Sequence, residues 1–291
     1  MTGDKGFLAR VSQIREESAG VKSFLLEPAD GCPPTGLRTH VDLALAPGRI
    51  GNIHCVVIAA IAQACGSLYC ANRRPGRVSV LHEQVKAGDA LEVLAVRNNF
   101  PLVDAELYLL VAGGIGITPL LAMARELEAQ GKHWRLLYGG RNRATMAFAE
   151  ELATYGDKVN ICPEDEFGLL DLAAFLGAAE PGKVVFCCGP EPLIKAVEAY
   201  CAAWPEEALQ IERFHPKEQE PHGADTAFEV ELKQSGKVVT VPPGRAIADV
   251  LEDVGVYIPR SCNEGTCGTL SDQGGGRHPR SSRSFLRPAS T

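Results

Sequence analysis

The stretch VAGGIGITPLLAM, Val111–Met123, decides how this chain folds. Its first residues extend the apolar run ELYLLVAG, its centre is rich in glycine, and its end opens a helical pattern that continues through ARELEAQG. A buried strand is therefore expected to end at Gly113. A turn follows through Gly114 and Gly116, and Thr118 and Pro119 fall in the first turn of a helix, where proline is tolerated. Glycines at such a turn let a phosphate approach the backbone, and the helix start offers unpaired N–H groups and a positive dipole end. The hydroxyl of Thr118 is a further candidate donor to that phosphate.

Downstream the pattern repeats. HWRLLYGGR reads as a strand, MAFAEELATYG as a helix, KVNIC as a strand and GLLDLAAFLG as a helix. KVVFCCGPEPLIKAVEAYC is then a strand, a Gly-Pro turn and a helix. Alternating strands and helices predict a doubly wound parallel sheet, with ligands at the carboxyl ends of its strands. Gly189 and Pro190 form the second such turn, and Cys188 precedes it at the strand end, a position beside a bound nicotinamide. A 2′-phosphate on the nucleotide would need basic partners after the second strand, where GGRNRAT carries Arg141 and Arg143.

Upstream, GFLARVSQIREES and VKSFLLEP alternate apolar and polar residues. RVSVLHEQVKAGDALEVLAV reads in the same style, with a Gly-Asp turn at Gly88, so an antiparallel β-barrel is expected over residues 5–103. The parallel α/β domain takes 104–220, ending in the polar, proline-bearing linker HPKEQEPHGADT. Beyond it, AFEVELKQSGKVVTVPPG reads as a hairpin and AIADVLEDVG as an amphipathic helix. They open a third domain, 226–291, expected as a truncated α+β ferredoxin fragment of β-grasp type.

Bulk properties narrow the function. The chain has 291 residues and a net charge of −7, so the molecule as a whole offers no basic footprint for nucleic acid. The basic tail Arg277–Arg287 lacks interleaved aromatics and is expected to be disordered. No secretory leader is visible, and the longest apolar run, CVVIAAIAQAC, is too short to span a bilayer, so a cytoplasmic protein without membrane contact is expected. Ten cysteines are then thiols or metal ligands rather than disulfides. The spacing of Cys55, Cys65 and Cys70 matches no common structural zinc pattern, whereas Cys262 and Cys267 have the C-x4-C spacing of a plant-type [2Fe–2S] loop.

GGIGITP followed by CGPEPLI resembles the NAD domain of the ferredoxin–NADP reductase superfamily. RNNFPL, Arg97–Leu102, resembles the segment that closes the flavin barrel in the phthalate dioxygenase reductase and vanillate O-demethylase reductase group. That group has a flavin barrel, an NAD domain and a C-terminal ferredoxin domain in the order found here. The resemblance implies an oxidoreductase that takes hydride from NADH onto FMN rather than FAD. Single electrons then pass through a [2Fe–2S] cluster to a Rieske-type oxygenase. It also implies an FMN-phosphate turn, matched by GRVS with Arg77 and Ser79, and an aromatic near the flavin, matched by Phe214 in IERF. Cys262 and Cys267 correspond to cluster ligands, and Cys188 to the residue beside the nicotinamide.

Two stretches depart from the family. Gly51–Pro75 lacks the R-x-Y-S flavin strand, and the third ligand position, C-x2-C after Cys267, is Leu270, with no cysteine beyond. With one choice of synonymous codons, Gly51–Pro75 back-translated and read from the third base gives QYSLCGDRSDRPGVWELVLREPA, a flavin-strand motif and the strand after it. The stretch after Thr269, read from its second base, gives CLTKVVEGIPDHRD, whose first residue is the missing cysteine. The chain is thus expected to carry two frame disruptions and to hold no stable cluster. The alternative to a working reductase is a decayed chain that binds nicotinamide nucleotide but lacks cluster-dependent electron transfer.

Overall fold

The computed structural model describes residues 7–28, 40–46, 49–53, 56–58, 67–71, 77–214, 226–232 and 235–256. The chain divides into two compact units, Met1–Phe214 and His215–Thr291.

The first unit begins with a seven-stranded antiparallel sheet. Its strands are β1 (Phe7–Ser18), β2 (Val21–Pro28), β3 (His40–Ala46), β4 (Arg49–Ile53), β5 (Val56–Ile58), β6 (Ser67–Ala71) and, after a helix, β7 (Ala90–Arg97). Their order is β4-β3-β7-β1-β2-β6-β5. Alternation places Ala9 and Val11 of β1 and Phe24 and Leu26 of β2 in one core with Leu43, Leu91 and Val93.

The segment Arg77–Gln84, expected as a strand, is helix α1. Its β-branched Val78 and Val80 favour a strand locally, but tertiary packing overrides them. Leu81 is fully buried and Val85, just past the helix end, packs against the same core. Lys22 Nζ ties the helix to β2 by donating to the His82 carbonyl at 2.8 Å.

The second half of this unit is the parallel α/β domain. Its elements are β8 (Leu107–Gly113), α2 (Ile117–Ala129), β9 (His133–Gly140), α3 (Ala149–Ala153), β10 (Val159–Pro163), α4 (Glu164–Phe167), α5 (Leu172–Leu176), β11 (Lys183–Cys188), α6 (Glu191–Tyr200) and β12 (Leu209–Glu212). The strand order is β10-β9-β8-β11-β12, so the winding reverses between β8 and β11. Alternate residues of β8 feed two cores. Tyr108, Leu110 and Ala112 pack with α2 on one face, and Leu109 and Val111 pack with α5 and α6 on the other. A central strand covered on both faces explains the unbroken apolar run LYLLVAG.

The segment RNNFPL does more than end a strand. Phe100 is buried and meets Phe186 of β11 edge-on, with ring centroids 5.5 Å apart. The Ala19 N–H also donates to the Ala144 carbonyl, joining the β1–β2 turn to the loop after β9.

The second unit contains the expected hairpin, β13 (Phe228–Leu232) against β14 (Lys237–Val241), and the expected helix α7 (Ile247–Asp253). Val239 and Val241 pack on Val250 and Leu251.

Candidate nucleotide-binding site

Strand β8 ends at Gly113, as the sequence predicts, and a single 3₁₀ turn, Gly114–Gly116, leads into α2. The glycines do different work. A Cβ on Gly113 would lie 2.6 Å from Pro190 Cδ and 2.7 Å from Leu193, and one on Gly116 would collide with the Cys188 carbonyl. A Cβ on Gly189 would lie 3.0 Å from the Gly113 backbone. These three are small because the turns after β8 and β11 pack against each other across the switch point. Gly114 alone meets nothing, and its φ of +54° is left-handed. It is therefore the glycine whose backbone stands open beside the first turn of α2, where N–H groups lack intrahelical partners. The cradle fits an anionic diphosphate.

Thr118 is nearly fully buried, and its hydroxyl donates to the Ile115 carbonyl at 2.9 Å. The expected donor to phosphate is thus a brace of the turn instead, because its proton is already engaged. Pro119 lies in the first turn of α2 and is buried, and Pro190 caps the start of α6 while filling the space beside Gly113.

Cys188 ends β11 directly opposite Glu212, the last residue of β12. Its Sγ lies 4.0 Å from Glu212 Oε2. Burial, then the neighbouring Glu212 and Cys187, push its thiol well up, so it remains protonated at neutral pH. Burial also pushes the Glu212 carboxyl up to about 8. Cys187, on the opposite face of the strand, is pushed up to about 12 by burial and belongs to the second core. Phe214, two residues beyond Glu212, is half-buried against the core that contains Cys188.

Glu212 escaped sequence reasoning. The signal was the carboxylate that ends LQIE, where apolar and polar residues alternate, but its pairing with Cys188 depends on which strands are neighbours. Glu166 was missed for the same reason. It grips Arg143 through two hydrogen bonds, Nε to Oε1 at 2.7 Å and Nη2 to Oε2 at 2.8 Å.

Arg77 and Ser79 fall in the first turn of α1 rather than in a turn between strands, and their side chains lie outside the described residues. Cys262, Cys267, the stretch after Thr269 and much of Gly51–Pro75 also lie outside them. No helix among the described residues is long and apolar enough to cross a membrane.

A parallel sheet with a glycine turn at its switch point is the arrangement of a nucleotide-binding α/β domain. The comparisons agree. Residues 110–162 match the oxidoreductase NAD-binding domain, and residues 230–269 match the 2Fe-2S iron-sulfur cluster binding domain. The chain is 35% identical to the phenoxybenzoate dioxygenase subunit beta of Ectopseudomonas oleovorans, over 82% of this chain and 75% of that one. It is 33% identical to the carnitine monooxygenase reductase subunit of Escherichia coli (strain K12), over 90% and 84%. The solved structure of phthalate dioxygenase reductase, described as a modular structure for electron transfer from pyridine nucleotides to [2Fe-2S], aligns with a TM-score of 0.70 at 29% identity, over 91% of this chain and 85% of that one.

The chain belongs to the phthalate dioxygenase reductase and vanillate O-demethylase reductase family. It is an oxidoreductase of the kind that serves as the reductase component of oxygenase systems, with an NAD-binding domain and a domain of the 2Fe-2S type. The match to the cluster-binding model stops at residue 269, one residue before Leu270. A plant-type cluster takes four thiolates, and two of the three closely spaced positions are filled here, by Cys262 and Cys267. The donor set of this chain does not fit the cluster.

Proposed function

We propose that this protein is the NADH-dependent reductase of a Rieske-type aromatic-ring oxygenase or O-demethylase, working in the cytoplasm. The observation that carries the nucleotide part is the open, left-handed Gly114 beside the start of α2. The pyrophosphate of NADH lies on the Gly113–Gly116 turn. The nicotinamide reaches the paired ends of β11 and β12, between the turn at Gly189 and Pro190 and the aromatic Phe214. Cys188, whose neutral thiol is fully buried at the end of β11, is the catalytic residue in this reading. Glu212 beside it is largely protonated at neutral pH and so brings a hydrogen-bond donor instead of a second charge.

NADH would supply a hydride when bound, and residues 5–103 would form the barrel that holds FMN as its acceptor. Arg77 and Ser79 at the start of α1 are the candidates for the FMN phosphate. The α/β domain spans 104–220 and the ferredoxin-type domain 226–291. Reduced thiols at Cys162, Cys187, Cys188 and Cys201 suit a cytoplasmic setting.

A second reading is favoured by one observation. The cluster-binding match ends at residue 269 and Leu270 stands where the third thiolate belongs. The chain as written then binds nucleotide but does not pass electrons onward, and frame disruptions near residues 50, 75 and 269 account for both departures from the family. Titrating the full chain with NADH and recording visible spectra separates the readings. A yellow protein that bleaches with NADH supports the reductase, and a colourless one that still binds nucleotide supports the second. Absence of NADH binding would refute both.

A further inference from the structure

Beyond the glycine turn, the sheet brings a second set of charges to the nucleotide's path. Gly113 of β8 is paired with Gly139 of β9, and Gly140 with Pro163 of β10, so three strand ends lie side by side. The residues just after β9 are Arg141, Asn142 and Arg143, and those just after β10 are Glu164, Asp165 and Glu166. The Asp165 N–H donates to the Arg141 carbonyl at 3.2 Å, which ties the two strand exits together.

A nucleotide with its pyrophosphate on the β8 turn extends its adenosine ribose towards the end of the second strand. A free arginine fork there would take a 2′-phosphate through two parallel hydrogen bonds. The Arg143 fork is already occupied, since its Nε and Nη2 both donate to Glu166. Those hydrogen bonds, with Asp165 nearby, push the guanidinium further up, so it stays charged and paired. A 2′-phosphate arriving here must displace one carboxylate from Arg143 and approach two more, Glu164 and Asp165. A plain 2′-hydroxyl does neither.

We propose that Glu166 is a specificity-determining residue that sequesters Arg143 and thereby excludes nucleotides carrying a 2′-phosphate. This deepens the nucleotide site proposed above and rests on it. The selection operates by occupation of the Arg143 fork, one of the two guanidiniums at this strand exit. Removing the carboxylate therefore frees a phosphate ligand instead of merely lowering repulsion.

The test needs neither flavin nor cluster. Affinities of the full chain for ADP-ribose and for 2′-phospho-ADP-ribose are measured by calorimetry, for the unaltered protein, Glu166→Gln, Glu166→Ala and the double variant Glu166→Ala/Arg143→Ala. The unaltered chain should prefer ADP-ribose. Glu166→Ala and Glu166→Gln should each narrow that preference by roughly tenfold, as expected of one charge-assisted fork contact, while leaving ADP-ribose affinity unchanged. The double variant should return most of the preference. An unchanged ratio in both single variants overturns the proposal, as does equal narrowing in the double variant, which would credit repulsion alone. If the unaltered chain binds no ADP-ribose, the nucleotide site itself fails and this proposal falls with it.

Discussion

Cys188 Sγ stands 4.0 Å from the carboxylate of Glu212, at the paired ends of two neighbouring parallel strands. A thiol pushed up by burial faces a carboxyl pushed up to about 8 by the same cause. Neither group carries a full charge at neutral pH, so the end of the sheet is kept apolar and proton-rich.

This sets a pH dependence of stability. The folded Glu212 holds its proton up to about pH 8, while the unfolded residue loses it near 4.5. The stabilisation is fully present below about pH 4.5 and is lost as pH rises through about 8. Urea midpoints should therefore fall between pH 6 and pH 9. In Glu212→Gln that part of the fall should vanish. Parallel pH curves for the two proteins would show that Glu212 titrates normally.

Gly114 and Gly116 should separate binding from folding. Gly114→Val forces a β-branched residue into a left-handed backbone that costs L-residues about 1–2 kcal/mol, and projects it into the cradle. NADH affinity should drop by more than tenfold in a chain that still folds. Gly116→Ala drives a Cβ into the Cys188 carbonyl, and overpacking of this kind costs about 1–3 kcal/mol. Its main effect should appear in the urea midpoint. Equal NADH affinity for Gly114→Val and the unaltered chain would remove the turn from the site.

Thiol reactivity should follow burial. Among Cys162, Cys187, Cys188 and Cys201, only Cys162 is partly exposed. Brief alkylation of the native protein at pH 8, read by peptide mass spectrometry, should modify Cys162 first and leave Cys187 and Cys188 untouched. Early labelling of Cys188 would contradict its place in the core.

Iron and sulfide reconstitution tests the tail. The chain as written should give no reduced [2Fe–2S] EPR signal, since Leu270 occupies the third ligand position. Restoring the alternative frame after Thr269 should produce the signal. A stoichiometric cluster in the unaltered chain would show that other thiolates complete the set.

The sequence by itself determined the order of elements in the α/β domain and in the hairpin and helix that follow. Unbroken apolar strands, glycine at strand ends and 3.6-residue periodicity are local signals, and they survive because every neighbour agrees with them. It also carried the incomplete ligand set, since Cys262, Cys267 and Leu270 are a matter of spacing alone. Tertiary structure decided what spacing cannot express. It made Arg77–Gln84 a helix that buries Leu81 in the core of the antiparallel sheet, against the local strand preference of its valines. It divided the glycines of the β8 turn into Gly113 and Gly116, pressed against a neighbouring turn, and Gly114, which has open space beside it. It brought Glu212 to Cys188 and Glu166 to Arg143 across 24 and 23 residues. These partners meet only because β11 and β12, and β9 and β10, are adjacent in the sheet, and adjacency is set by the packing of both faces rather than by any local pattern.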